Sequence, residues 1–188
     1  ELAELGELAA GGVVAFSDDG SPVADPRLMR NALALAGAVG LPLSEHCDTP
    51  EMHPSGAMNE GEVSERLGLP GQPAAAEATA VARNIELAAA TGGRLHIAHV
   101  TTARSVELVA EAKARGLPVT CEVTPSHLFL TETAVAGDGP EPAYDTNAKI
   151  NPPLRTEADR RALLRGLEVG VIDAIATDHA PHAVEDKL

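Results

Sequence analysis

Asp178, His179 and His182 place one carboxyl and two imidazoles within five residues, where the apolar run Val171 to Ala176 stops. Side chains of these types hold divalent metals and move protons. An apolar run that ends in polar residues recurs along the chain. Val13 to Phe16 runs into Ser17-Asp18-Asp19-Gly20, and Leu41 to Ser44 runs into Glu45-His46-Cys47-Asp48. Leu95 to Val100 carries His99 and continues into Thr101-Thr102. Two imidazoles and two carboxylates drawn from such ends have the donor chemistry of zinc or another borderline divalent ion. Metal ions lower the pKa of bound water and so supply a nucleophile at neutral pH. A further acid beside it can take the released proton and pass it to a leaving group.

Taken singly, each residue has a plainer explanation. A histidine at a strand end is more often a hydrogen-bonded support than a ligand. Asp18-Asp19-Gly20 is a turn signal, and Asp178 suits the N-cap of a following helix. His96 falls on the opposite strand face from His99 and reads as a core or support residue. His53, in a loop, reads as solvated. Recurrence at matching positions of successive units is what favours one shared site.

Those units are five short apolar runs: Val13 to Phe16, Leu41 to Ser44, Leu95 to Val100, Val119 to Val123 and Val171 to Ala176. They are near-continuous rather than alternating, as in strands covered on both faces. Helical patterns lie between them. Asp25 caps a helix with Pro26 at its first position, and the segment RLMRNALALAGAV stops near Gly40. AAAEATAVARNIELAAAT stops at Gly92-Gly93, and ARSVELVAEAKAR stops at Gly116. TEADRRALLRGLEV opens on Thr156 and Asp159 as an N-terminal cap pair. Alternating strands and helices predict parallel strands joined by right-handed crossovers. Five units suit the C-terminal five of an eight-unit barrel, or an open doubly wound sheet. The sheet wants a glycine-rich phosphate loop after its first strand, and none is present, which favours the α/β barrel. Two connections, Asp48 to Gln72 and Thr124 to Leu154, are long enough to be functional. The Gly and Pro content of the second suits a segment that closes over a site.

Composition narrows the partners. The chain of 188 residues carries 28 acids against 14 bases, a formal net charge of −14. It has no basic stripe to neutralise phosphates, which argues against a nucleic-acid partner. No apolar run nears the roughly 20 residues that span a membrane. Cys47 and Cys121 sit inside apolar strand-like runs and read as free buried thiols of a cytoplasmic protein, in preference to a disulfide. With aromatics at 2 %, the core must be built from Ala, Leu, Val and Ile. Residues 1–188 read as one domain.

Seven stretches, taken in order, resemble those of a dihydroorotase of the amidohydrolase superfamily. They are AFSDDGSPV, EHCD, NEGEVSERLGLPGQPAAAE, HIAHVTT, CEVTPSHLFLT, INPPLR and IDAIATDHAPH. The resemblance implies a metal-dependent (β/α)8 TIM-type barrel, with this chain supplying strands four to eight. It implies reversible interconversion of L-dihydroorotate and N-carbamoyl-L-aspartate in pyrimidine biosynthesis, with one or two Zn2+ per subunit. Its implied associations are a homodimer or a complex with aspartate transcarbamoylase.

Carried over residue by residue, Asp19 resembles the bridging ligand at the end of strand four, in preference to Asp18. Hydantoinases and allantoinases usually carry a carboxylated lysine there. An aspartate resembles the bacterial dihydroorotase group that has the long NEGEVSERLGLPG segment. His46 and His99 resemble the ligands of the second metal. Asp178 resembles the strand-eight aspartate, which is both a ligand of the first metal and the general acid/base. Asn151 and His182 resemble substrate contacts, and Asn151 also helps to separate the group from hydantoinases and allantoinases.

Three family features have no counterpart here: the His-x-His pair at the end of strand one, an arginine near it that grips the substrate carboxylate, and an asparagine from an earlier strand. The chain starts at Glu1, just before the unit that resembles strand four. The expectation is a piece of a longer barrel, lacking half of one metal site and without turnover by itself. Competing readings are a hydantoinase-like or allantoinase-like cyclic amidase, a non-catalytic dihydroorotase-like scaffold subunit of aspartate transcarbamoylase, and a metal-binding barrel of unrelated function.

Overall fold

Local sequence signals place the helices. In the computed structural model, residues 2–18, 20–137, 144–183 and 185 are described. A short helix, α1 (Leu5–Ala10), precedes α2 (Pro26–Ala38). The Asp25 carboxylate accepts the Arg27 N–H at 2.8 Å, so α2 starts where the cap pattern predicts. α4 (Ala74–Thr91) stops at Gly92, whose φ of +71° suits glycine. α5 (Ala103–Ala114) is capped by Thr102, and α7 (Glu157–Glu168) by the reciprocal Thr156–Asp159 pair. Each buries one apolar stripe, for example Met29, Ala32, Leu33 and Ala36 on α2. α2 packs on α4, α4 on α5 and α5 on α7.

Beneath this layer lies a sheet of five parallel strands: β1 (Phe16–Ser17), β2 (Leu43–Glu45), β5 (Leu95–Ile97), β6 (Val119–Val123) and β7 (Ala174–Ile175), side by side in that order. Leu43, Leu95 and Val119 stand in register and, with Ile97, Cys121 and Val123, bury one face against the helices. The expected parallel α/β sheet is therefore present. Strands covered on both faces are not. Ser44, His96 and Thr120 stand in register on the other face, and Glu122 follows Thr120 there. That face is polar and only partly covered. His96, read as core or support, bonds Thr120 Oγ1 at 2.8 Å and Glu122 Oε2 at 3.2 Å.

The two outer runs also differ from expectation. Val13 and Val14 lie outside β1, and Val14 is 83 % exposed. Both residues of β7 are exposed. An edge strand has a neighbour on one side only, so apolar character alone cannot bury it.

The two long connections are not structureless. The first holds a 3-10 turn (Pro50–Met52) and the parallel pair β3 (Met58–Asn59) and β4 (Gly71–Gln72), joined by α3 (Glu62–Leu67). The second holds α6 (Pro125–Phe129) and 3-10 turns at Glu132–Ala136 and Thr146–Ala148. Residues 138–143 of it lie outside the described set. Met58, Val63 and Leu67 from the first pack with Val135, Ala136, Ala148 and Leu154 from the second as a small separate core. Among the described residues, no helix is long and apolar enough to cross a membrane. Cys47 and Cys121 are free and buried, and burial pushes the Cys121 thiol up to about 12.

Gly93 lets α2 approach the turn between α4 and β5. A Cβ there would stand 2.7 Å from the Leu33 carbonyl oxygen and 3.0 Å from Leu33 Cβ. Gly93→Ala is expected to lower stability by about 1–3 kcal/mol through overpacking, read as a lower urea midpoint with an unchanged m-value.

Candidate active site

Because the sheet is parallel, the C-terminal ends of its strands share one edge. His46 follows β2 directly, and His99 lies two residues past β5. Their rings meet edge to face with centroids 4.5 Å apart, and His46 Nδ1 lies 2.9 Å from His99 Nε2. Both histidines are buried. Burial, with the His99 imidazole beside it, holds His46 below the ordinary imidazole range, against the pull of Asp48, Asp18 and Glu77. Its one free nitrogen lone pair is thus available to a ligand at neutral pH. Two imidazole nitrogens this close need either the N–H of one ring or a metal ion between them. Two nitrogens on one tetrahedral zinc stand roughly 3.3 Å apart, so the pair needs to open by only a few tenths of an ångström. His99 Nδ1 is buried without a hydrogen-bond partner among the described residues.

His46 Nε2 lies 3.5 Å from Asn151 Nδ2. Asn151 in turn lines a cavity of about 600 Å³ shared with Asp178 and His182, both exposed. Five of the residues singled out in the sequence thus fall into two adjoining sets: the histidine pair with Asn151, and Asn151 with Asp178 and His182. No third His, Cys, Asp or Glu joins the histidine pair closely enough to complete a metal cluster among the described residues. Asp19 lies outside that set. Asp18, its neighbour, accepts the His46 backbone N–H at 3.0 Å. His99 and Asp178 both adopt positive φ, +33° and +47°. Non-glycine residues are rare there, and such conformations concentrate at functional sites.

The residues that fix these side chains were less visible in the sequence. On α4, Glu77 and Asn84 interrupt an otherwise apolar stripe of Ala76, Ala80, Val81, Ile85 and Ala88, two turns apart. Each bonds a different strand end. The Glu77 carboxylate accepts the Thr101 and Thr102 N–H groups at 3.1 and 3.0 Å and both threonine hydroxyls. Burial alone would raise its pKa, but Arg155 and the Ser105 and Thr101 donors hold it below the usual carboxylate range. Asn84 Nδ2 donates to Glu45, beside His46, and Arg83 Nη2 reaches the same carboxylate at 3.4 Å. Burial nevertheless pushes Glu45 up to about 7. Lone polar residues in an apolar helical stripe were the signal for this pair. His127 Nε2 donates to the Pro152 carbonyl at 3.0 Å while Nδ1 accepts the Thr124 hydroxyl at 2.7 Å, which ties α6 to the chain next to Asn151. His53, read as solvated, is instead held by Asp48 at 2.9 Å with its side chain 6 % exposed.

Comparison with known proteins places the fold and the family. The D-hydantoinase (dihydropyrimidinase) from Thermus sp. superposes with a TM-score of 0.79 at 25 % identity, over 96 % of this chain and 40 % of its own. The L-hydantoinase (dihydropyrimidinase) from Arthrobacter aurescens also gives 0.79, at 24 % identity, over 98 % and 42 %. The five βα units are therefore part of an amidohydrolase-type barrel. By sequence, the dihydroorotases of Pelotomaculum thermopropionicum and Anaeromyxobacter dehalogenans (strain 2CP-C) are each 54 % identical over 187 residues, covering 100 % of this chain. The chain spans 42 % of the length of these relatives. A dihydro-orotase-like family model matches residues 1–105. With that model over more than half its residues and relatives of this identity along its whole length, the chain belongs to the dihydro-orotase-like family.

Proposed function

We propose that the protein to which this chain belongs is a cytoplasmic, zinc-dependent dihydroorotase of pyrimidine biosynthesis. It hydrolyses L-dihydroorotate reversibly to N-carbamoyl-L-aspartate. The observation that carries this is the His46–His99 nitrogen pair, opening past Asn151 onto the cavity that holds Asp178 and His182. The donor chemistry of the histidine pair fits one end of a zinc site, with Asp178 and Asp19 as the carboxylate ligands, for one or two ions. A metal bound there supplies Lewis-acid polarisation of the ring carbonyl and lowers the pKa of water.

The chain's own residues then do the following. His46 stays neutral and keeps its lone pair for the ligand. Asp178 takes a proton from the attacking water and returns it to the departing ring nitrogen, as the water oxygen bonds to the carbonyl carbon and the carbon–nitrogen bond breaks. Asn151 and His182 hold the substrate in line. The likeness to hydantoinases favours a neighbouring cyclic-amide specificity as the second reading. Association as a homodimer or with aspartate transcarbamoylase fits the same assignment.

The test is turnover by the full-length protein with zinc supplied. Hydrolysis of L-dihydroorotate should far exceed that of hydantoin or allantoin. Absence of turnover from folded, zinc-loaded protein would leave a scaffold subunit as the reading. In the same protein, His99→Ala should weaken zinc affinity by more than about tenfold, since even partners one step removed from a metal cost that much. Equilibrium dialysis measures it directly.

A further inference from the structure

By count, His99 belongs to the wrong face of its strand. Leu95 and Ile97 of β5 bury against the helices, while His96 lies in the polar face. Alternate residues of an extended chain share a side. A regular continuation of β5 would therefore aim His99 into the helix layer. His46 stands two residues past Ser44 of the polar face and needs no such correction. Yet the two rings meet.

Backbone hydrogen bonds locate the correction. The Leu95 N–H donates to the Pro118 carbonyl, toward β6, and the Ala98 N–H to the Glu45 carbonyl, toward β2. Donors along a strand point alternately to its two neighbours. With Leu95 opposite Val119 and Ile97 opposite Cys121, the donor due at the Glu122 carbonyl is the His99 N–H. The Val100 N–H arrives there instead, at 2.8 Å. The chain has gained one residue, and it gains it at His99, whose φ is +33°. A one-residue bulge of this kind re-aims a side chain. A histidine keeps a left-handed backbone only where its surroundings impose it.

The surroundings lead back to α4. Ahead of the bulge, Ala98 hangs on Glu45, whose carboxylate Asn84 holds. Behind it, the Thr101 and Thr102 N–H groups both end on Glu77 Oε1, at 3.1 and 3.0 Å, together with the Thr102 hydroxyl at 3.0 Å. Successive N–H groups of a regular strand point to opposite sides, so one oxygen accepts both only from a turned chain. Glu77 Oε2 accepts the Thr101 hydroxyl, whose oxygen also accepts from Arg155.

Resting on the reading of the histidine pair as metal ligands, we infer that Glu77 is a positioning residue of that site. Its carboxylate locks the bulge that swings His99 from the helix side of the sheet onto His46. It supplies placed acceptors rather than charge. Glutamine keeps an oxygen at the Oε1 position, where three of the four donors converge, and its NH2 can donate to the Thr101 hydroxyl oxygen. Aspartate keeps the charge beside Arg155 but draws both oxygens back by one methylene.

The experiment measures zinc affinity of the full-length protein by equilibrium dialysis, with a thermal melt alongside. Glu77→Gln should melt lower, because Arg155 loses its counter-charge, yet bind zinc within about threefold of wild type. Glu77→Asp should bind zinc more than about tenfold more weakly. A carboxylate that served stability alone would move both readouts together. Zinc affinity unaltered in Glu77→Asp, or lost in folded Glu77→Gln, overturns the positioning role while leaving the histidine pair as ligands. Zinc affinity unaltered in His99→Ala overturns the metal reading, and the role of Glu77 with it. A crystal structure of the zinc-loaded wild type decides even where a variant does not fold. It should show the Val100 N–H on the Glu122 carbonyl and His99 at positive φ. A strand that runs regularly through His99 overturns the proposal.

Discussion

Asp178→Asn in the full-length protein should lower kcat for L-dihydroorotate by about 10²–10⁴-fold, the usual worth of a positioned acid/base group, and leave folding intact. Asp178 is exposed, so the exchange buries nothing and opens no cavity. Its φ of +47° makes the choice of variant matter. Asparagine tolerates the left-handed region at least as well as aspartate, whereas alanine adds a backbone penalty to the loss of the carboxyl. The Asn variant therefore isolates chemistry from conformation. Its amide cannot accept and return a proton at neutral pH, so the basic role is lost. Steady-state kinetics beside a thermal melt checks both halves. Near-normal turnover, or a melt several degrees lower, would remove Asp178 from the role proposed for it.

The largest effect on stability belongs to Arg155. Replacing it with methionine should cost about 3–5 kcal/mol, the cost of breaking a buried charge pair on one side. Arg155 is 5 % exposed. Its Nε donates to Thr101 Oγ1 at 3.0 Å, and the Thr101 hydroxyl donates to the buried Glu77 carboxylate. Its Nη1 donates to Asn59 Oδ1 at 2.9 Å and to the Gln72 carbonyl at 2.7 Å. One guanidinium therefore joins β3, β4 and the end of β5. Removing it leaves Glu77 ionised without its cation. It also leaves the Asn59 oxygen without a donor, a further cost of about 1–3 kcal/mol where no water enters, while the Gln72 carbonyl keeps the Glu60 N–H at 3.1 Å. Lowering the charge of the partner as well, in Arg155→Met with Glu77→Gln, should recover part of the loss. Denaturant midpoints of the two variants and the wild type decide it. A loss below about 1 kcal/mol for the single change would mean that water replaces the arginine at little cost.

Much of this fold is written in short-range signals. Asp25-Pro26, Thr156 with Asp159, and Gly92 act within one turn of the helix they begin or end, so they are readable without knowing the partners. β6 falls on the residues expected because both of its neighbours are present and Val119, Cys121 and Val123 are buried. β1 and β7 do not fill theirs, because burial of an edge strand depends on what lies beyond it. The paired long connections were opaque for a related reason. Met58, Val63 and Leu67 make an apolar stripe too short to stand alone, and its partners Val135, Ala136 and Leu154 come from far along the chain. At the site, His46, His99, Asn151, Asp178 and His182 were legible through their recurrence at strand ends and through family resemblance. Arg155 was not, because nothing in a lone basic residue says that it meets a buried carboxylate.

The left-handed backbone at Asp178 also bears on how such a protein can lose its activity over evolutionary time. Single base changes in an aspartate codon include those to asparagine and to glycine, and both accept that backbone conformation readily. Two of the shortest mutational exits from the proposed acid/base residue therefore discard the proton carrier while sparing the fold. A lineage kept only for what it holds together could drift through those two substitutions without passing through an unfolded ancestor. Asparagine or glycine at position 178 in an otherwise intact relative is accordingly the mark by which a retired enzyme would be told from a working one.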